Sequence, residues 1–186
     1  GGVGDERLMP AALYYDADLF ETTPQSVLAA SAMNGFDKGL EALYTRNATP
    51  VTDGTAMRGL RLLRSSLPTL GDGETESEDA VEGVGGAGDA LERAVTGTIL
   101  VQYGVSTPGR YKLSIIHAFG HGFTRNYDVH QGRAHAVVAP HVLRYLFDEV
   151  DARRELLAEA LDVRIEREDP SDEELADGIV AAVVEV

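Results

Sequence analysis

Apolar residues at helical spacing run through most of this chain, and that pattern limits its possible folds more than any other feature. Val27, Leu28, Met33, Phe36, Leu40 and Leu43 recur at three- and four-residue intervals behind Thr23, a residue suited to an N-cap, and Pro24 at the first helical position. The spacing predicts a helix to about Arg46. A second opens near Pro50, carries Met57, Leu60, Leu62 and Leu63, and is expected to stop at Leu67 and Pro68, because proline has no N–H to continue the ladder. Further helices are expected over 90–103, 111–119, 134–147 and 152–161. Ser171 and Glu174 form a capping box ahead of Leu175, Ile179, Val180, Val183 and Val184. That Val-rich ending would also suit a strand, and the capping signal decides for a helix. The fold class is therefore all-α, a bundle of about seven helices with no internal repeat and no sustained heptad.

Two stretches break the pattern. Ala11 to Tyr15 is a short apolar and aromatic run between Pro10 and Asp16 that reads as a single strand, yet no partner strand follows it. With Gly1 in place of an initiator Met, this suggests that residues 1–22 are a residual strand and linker from a missing domain. Residues 23–186 would then be a helical domain, truncated at its C-terminus. The second stretch, Gly71 to Gly88, joins an acidic run to clustered glycines, the composition of a mobile exposed loop. It contains a formal G-x-G-x-x-G match from Gly83 to Gly88, rejected because that fingerprint must follow a buried strand, whereas the residues before it are acidic and would repel pyrophosphate.

The 186 residues suffice for one domain with a real core, and the 31 Asp and Glu against 16 Lys and Arg give a net charge of −15. So anionic a surface repels phosphates and has no basic stripe, which excludes nucleic acid as a partner. No apolar run approaches the roughly 20 residues needed to span a bilayer, and the chain has no Cys and so no disulfide scaffold. Lys38 and Lys112 are its only lysines. Abundant carboxylates with almost no lysine read as adaptation to a high-salt cytoplasm, where concentrated salt screens the mutual repulsion of surface carboxylates.

All five histidines, His117, His121, His130, His135 and His141, fall within one short segment. His117 and His121 stand four apart and project from one helical face, and His130 follows in a turn that could fold back toward them. Such a group suits divalent metal binding or proton transfer near neutral pH, although His135 and His141 would equally serve as core residues.

The segments SAMNGFDKGLEALYTRNATPVTD and SIIHAFGHGFTRNYDVHQGRAHAVVAPHVLRY resemble the C-terminal domain of the iron-containing alcohol dehydrogenases, including their maleylacetate reductase branch. The resemblance implies an N-terminal dinucleotide-binding domain, a helical domain that holds a catalytic metal, and an active site in the cleft between. The family's metal shell uses an Asp and a His four apart plus two further His. Carried over, His117 and His130 take the two further positions, Asn34 stands at the Asp position and Lys38 at the first His. His121 matches the pocket histidine beside the nicotinamide. Maleylacetate reductases resemble this chain in Asn34 and in a His near His135.

The resemblance implies NAD or NADP bound through the absent domain, an iron or zinc ion, a small-molecule substrate and a homodimer. Asn is a weak neutral ligand and an ammonium repels a cation, so the metal is in doubt. The expectation is hydride transfer between a nicotinamide and an alcohol or carbonyl carbon, the Lys38 ammonium replacing the metal and His121 or His117 handling the proton. The 186 residues alone should be inactive. The alternatives are a non-catalytic helical binding or assembly module and an enoate reduction of the maleylacetate reductase kind. Asp37 and Glu41 could ligate a metal only if the helix were rotated.

Overall fold

A computed structural model of the protein describes residues 11–71, 87–106 and 114–186, and among them every regular element is helical. Seven α-helices follow in order: α1 Gln25–Tyr44, α2 Pro50–Gly71, α3 Ala87–Ser106, α4 Ile115–Asn126, α5 Gln131–Glu149, α6 Arg154–Ala160 and α7 Asp172–Val184. Helix α1 is the central pillar. Its Phe36, Leu40 and Leu43 are fully buried, and α2, α3, α4, α5 and α6 all pack against it.

Helices α2 and α3 come into close contact where glycine meets glycine. A Cβ on Gly59 would lie 2.8 Å from the carbonyl oxygen of Gly97, and one on Gly97 would lie 2.9 Å from that of Gly59, so a side chain at either would push the helices apart. At the far end, Arg153 forks its guanidinium onto Asp53 at 2.9 and 2.7 Å and donates to the Leu43 carbonyl at 2.7 Å. This ties the end of α1 and the start of α2 to the turn before α6. The buried Arg154 donates to the carbonyls of Phe147 and Val150 and pairs with Asp172 at 3.2 Å, which locks α5, α6 and α7 together.

Several expectations change on the structure. Residues 11–16 form no strand: Leu13, Tyr14 and Tyr15 are exposed and irregular, followed by a short 3-10 turn over Ala17–Phe20. A strand needs a neighbour's N–H and C=O groups, and the described residues offer it none. Pro24, not Thr23, caps α1, with no side-chain cap bond. Helix α2 runs through Pro68 to Gly71 because Leu67 and Leu70 are both buried and hold the last turn against the core. Helix α4 starts later than the expected 111–119 and ends later, at Asn126. The acidic and glycine-rich stretch and the rejected glycine match fall largely on residues 72–86, outside the described residues. The capping box at Ser171 forms as read, with the Ser171 hydroxyl accepting from Glu174 N–H and the Glu174 carboxylate accepting from Ser171 N–H.

Candidate functional site

One face of α1 carries Asn34, Asp37, Lys38 and Glu41, because residues three and four apart share a helical face. Glu41 is fully buried, and its carboxylate receives the N-terminus of α4. Oε2 accepts from the backbone N–H of Ser114 at 2.7 Å, and Oε1 accepts from Ile116 at 2.8 Å and His117 at 3.2 Å. Ser114 makes no side-chain cap of its own, so Glu41 caps α4 from another helix and sets a negative charge at the positive end of its dipole. The Tyr44 hydroxyl also donates to Glu41 at 3.3 Å. Burial, reinforced by the Glu41 carboxylate, pushes the Tyr44 phenol well above its ordinary range.

That cap places the His117 ring. Its Nδ1 stands 2.8 Å from Glu41 Oε2, within ion-pair distance though off the line of an ideal hydrogen bond, and its Nε2 lies 3.1 Å from Asn34 Oδ1. The ring meets His135 edge-on with centroids 4.5 Å apart. His135 is fully buried on α5, with Nδ1 2.9 Å from Asp37 Oδ2, again close but poorly aligned. Burial raises the Asp37 carboxyl to about 6, against the lowering effect of the adjacent His135. Glycine makes this packing possible: a Cβ on Gly120 of α4 would overlap His135 Nε2, and one on Gly132 of α5 would overlap the Ala30 carbonyl of α1. Two carboxylate–imidazole pairs thus meet where α1, α4 and α5 converge.

Lys38 leaves this centre sideways. Its ammonium donates to Gln102 Oε1 on α3 at 3.0 Å, and Gln102 Nε2 in turn donates to Ser106 Oγ at 2.9 Å. Among the described residues no carboxylate and no imidazole pairs with it, and partial burial holds its pKa below the ordinary lysine value. His121 and His141 are exposed. His130 is exposed too and caps α5, its Nδ1 accepting from Gly132 N–H at 3.2 Å. Of the residues singled out in the sequence, the structure therefore joins Asn34 to His117 directly and leaves Lys38, His121 and His130 with other partners or with solvent. Among the described residues no three or more His, Asp or Glu side chains are grouped so as to hold a metal ion.

Glu41, Asp37, His135 and Gln102 carry more of this site than the sequence reading gave them. For Asp37 and Glu41 the signal was an acidic pair four residues apart set among Phe36, Leu40 and Leu43, which places both carboxylates toward the core, whereas no local pattern marked His135 or Gln102 as neighbours. Phe119 and Phe123 on an exposed face of α4 and Tyr127 at its C-cap line a groove of about 370 Å³ with Ala118, Gly122 and Asn126.

Residues 28–186 match the Fe-containing alcohol dehydrogenase family, C-terminal domain, and the chain belongs to that family. It is similar to the lactaldehyde reductase of Escherichia coli, 26% identical over 162 residues that make up 87% of this chain and 38% of the relative. It is also similar to the maleylacetate reductase of Sphingobium indicum, 25% identical over 158 residues, 84% of this chain and 41% of the relative. Among solved structures, 1,3-propanediol oxidoreductase superposes with a TM-score of 0.71 at 26% identity, covering 90% of this chain and 40% of that one. The chain thus spans about two fifths of the length of the proteins it matches, and it has the family's all-helical C-terminal fold.

Proposed function

We propose that the whole protein is an NAD(P)-dependent oxidoreductase that moves hydride between a nicotinamide and an alcohol or carbonyl carbon, with this chain supplying the wall of the site that handles the substrate oxygen. The family and the names of its relatives support this reading. The residues at the family's ligand positions fit a divalent metal poorly. They are an amide, an ammonium, an imidazole whose Nε2 already faces that amide, and an exposed imidazole that caps a helix. No step is therefore assigned to a metal.

The task left is to stabilise negative charge on the oxygen as hydride arrives at carbon. The Lys38 ammonium has three donors and spends one on Gln102, so two remain for that oxygen, and its half-buried position strengthens them over an exposed ammonium. His117 is engaged at both nitrogens, which leaves the exposed His121 as the proton donor to the alkoxide. The observation that carries the reading is the Lys38 side chain itself: a half-buried cation with a neutral amide partner and no carboxylate among the described residues. The complete protein, treated with a chelator and assayed with small aldehydes and either nicotinamide, should keep its activity. Lys38→Met should lower kcat by about 10²- to 10³-fold, the range for losing one group that stabilises an oxyanion. Activity that disappears with the chelator and returns with zinc would overturn the metal-free part.

Enoate reduction of the maleylacetate reductase kind is a second reading, favoured by Asn34 and the buried His135 together with the similarity to that reductase. Reduction of maleylacetate but not of simple aldehydes would select it.

A further inference from the structure

We infer that α4 is a hinged helix: its first half, to Gly120, is clamped to the core, and its second half, His121 to Asn126, opens and closes while the rest of the fold stays intact. The inference concerns the 186-residue chain and stands whatever reaction the whole protein performs. The buried residues of α4 are Ile116, His117 and Gly120, all in the first half. Glu41 accepts from three backbone N–H groups at its start, and Gly120 lies so close to His135 that no Cβ fits between them. Beyond that point His121, Gly122, Phe123, Arg125 and Asn126 are all exposed. The side-chain bonds of the second half are the helix's own: the Thr124 hydroxyl donates to the His121 carbonyl at 3.3 Å, and the Asn126 amide to the Gly122 carbonyl at 2.7 Å. Helix α7 makes the contrast, since Leu175, Ile179, Val180, Ala182 and Val183 are buried along its 13 residues. A helix in water depends on such a face, because its own turns are only marginally stable. The residues past Gly120 lack one and so form a unit of low local stability.

Both ends of the moving part are fixed, so it opens as a flap. Downstream, the His130 ring caps α5, and Gly132 is pressed against the Ala30 carbonyl of α1. Opening uncovers little new apolar surface, since Phe123 is already 40% exposed and Tyr127 66%. The two glycines inside α4 have different reasons to be there. His135 demands Gly120, whereas a Cβ on Gly122 would meet nothing within 4 Å. An alanine would fit at 122 and favour the helix, so glycine there acts only by loosening the backbone just past the clamp. The flap carries His121, and its closing sets where that imidazole stands relative to a ligand lying over α4.

Residue-resolved amide hydrogen exchange, followed by NMR on the 186-residue chain, tests this. The amides of 121–127 should be less protected than those of 118–120 and of α5. In dilute urea, protection at 118–120 should fall steeply and at 121–127 hardly at all, because opening the flap exposes little surface. Gly122→Ala should raise protection over 121–127 about five-fold, the factor that glycine costs a helix relative to alanine. Ser171→Ala, which removes the cap of α7, should lower protection of the core amides about five-fold and leave 121–127 unchanged, because α7 stays folded when the flap opens. Residues 121–127 that share the protection and urea dependence of 118–120, that ignore Gly122→Ala, or that follow the core in Ser171→Ala would overturn the hinge.

Discussion

At the residue scale the molecule is governed by two buried carboxylates four positions apart that meet two imidazoles from other helices. Asp37 and Glu41 stood out in the sequence as an acidic pair four apart that only a rotated helix would turn to a metal, and their histidine partners were not legible, because which histidine meets which carboxylate depends on how α4 and α5 cross α1. Asp37 makes the energetic cost measurable. Its carboxyl is raised from 3.8 to about 6 by burial, so the folded state holds the proton more tightly than the unfolded chain does. The stability this contributes is fully present below pH 3.8 and is lost as pH rises through about 6. The stability difference between wild type and Asp37→Asn, measured by denaturant unfolding across pH 4 to 7, should shift in the variant's favour as pH rises. A difference constant with pH would contradict the assignment. Gly120 should tolerate no side chain: Gly120→Ala drives a methyl into His135 and should cost about 2 to 3 kcal/mol in the same assay.

At the scale of the element, helices were readable wherever apolar spacing and a chemical stop signal agreed. The last helix began where its capping box placed it, and Ser171→Ala should lower stability by about 1 kcal/mol. Where local signal and tertiary packing conflicted, packing prevailed. Pro68 reads as a terminus because it lacks an N–H, but Leu67 and Leu70 gain enough by burial to carry α2 past it. Pro68→Ala should therefore stabilise the protein by about 1 to 3 kcal/mol, visible as a higher thermal midpoint. The start of α4 was misplaced for a different reason. Its cap is Glu41, 73 residues away from Ser114 in sequence, and no local pattern announces a cap supplied by another helix. The single strand failed because a strand is a property of a pair, and one segment cannot display the pairing it needs.

At the scale of the whole molecule, a helical domain built on α1 carries a large excess of carboxylates over basic groups. A charge of −15 should make the fold salt-dependent, with the thermal midpoint rising as potassium chloride goes from about 0.1 M, where the Debye length is about 10 Å, to above 1 M, where it is about 3 Å. An unchanged midpoint would separate the acidic composition from any adaptation to salt. The family fold was legible from two sequence blocks, but the internal bonding of the ligand positions was not, since Asn34 and Lys38 reveal their partners only in three dimensions. The most direct measurement is metal content: the chain incubated with excess zinc or iron, freed of unbound ion by gel filtration, and analysed by elemental mass spectrometry. Well under one ion per chain is predicted, because the His117 Nε2 already faces the Asn34 amide at 3.1 Å and Lys38 adds a cation. One ion per chain, lost on His117→Ala, would contradict the account.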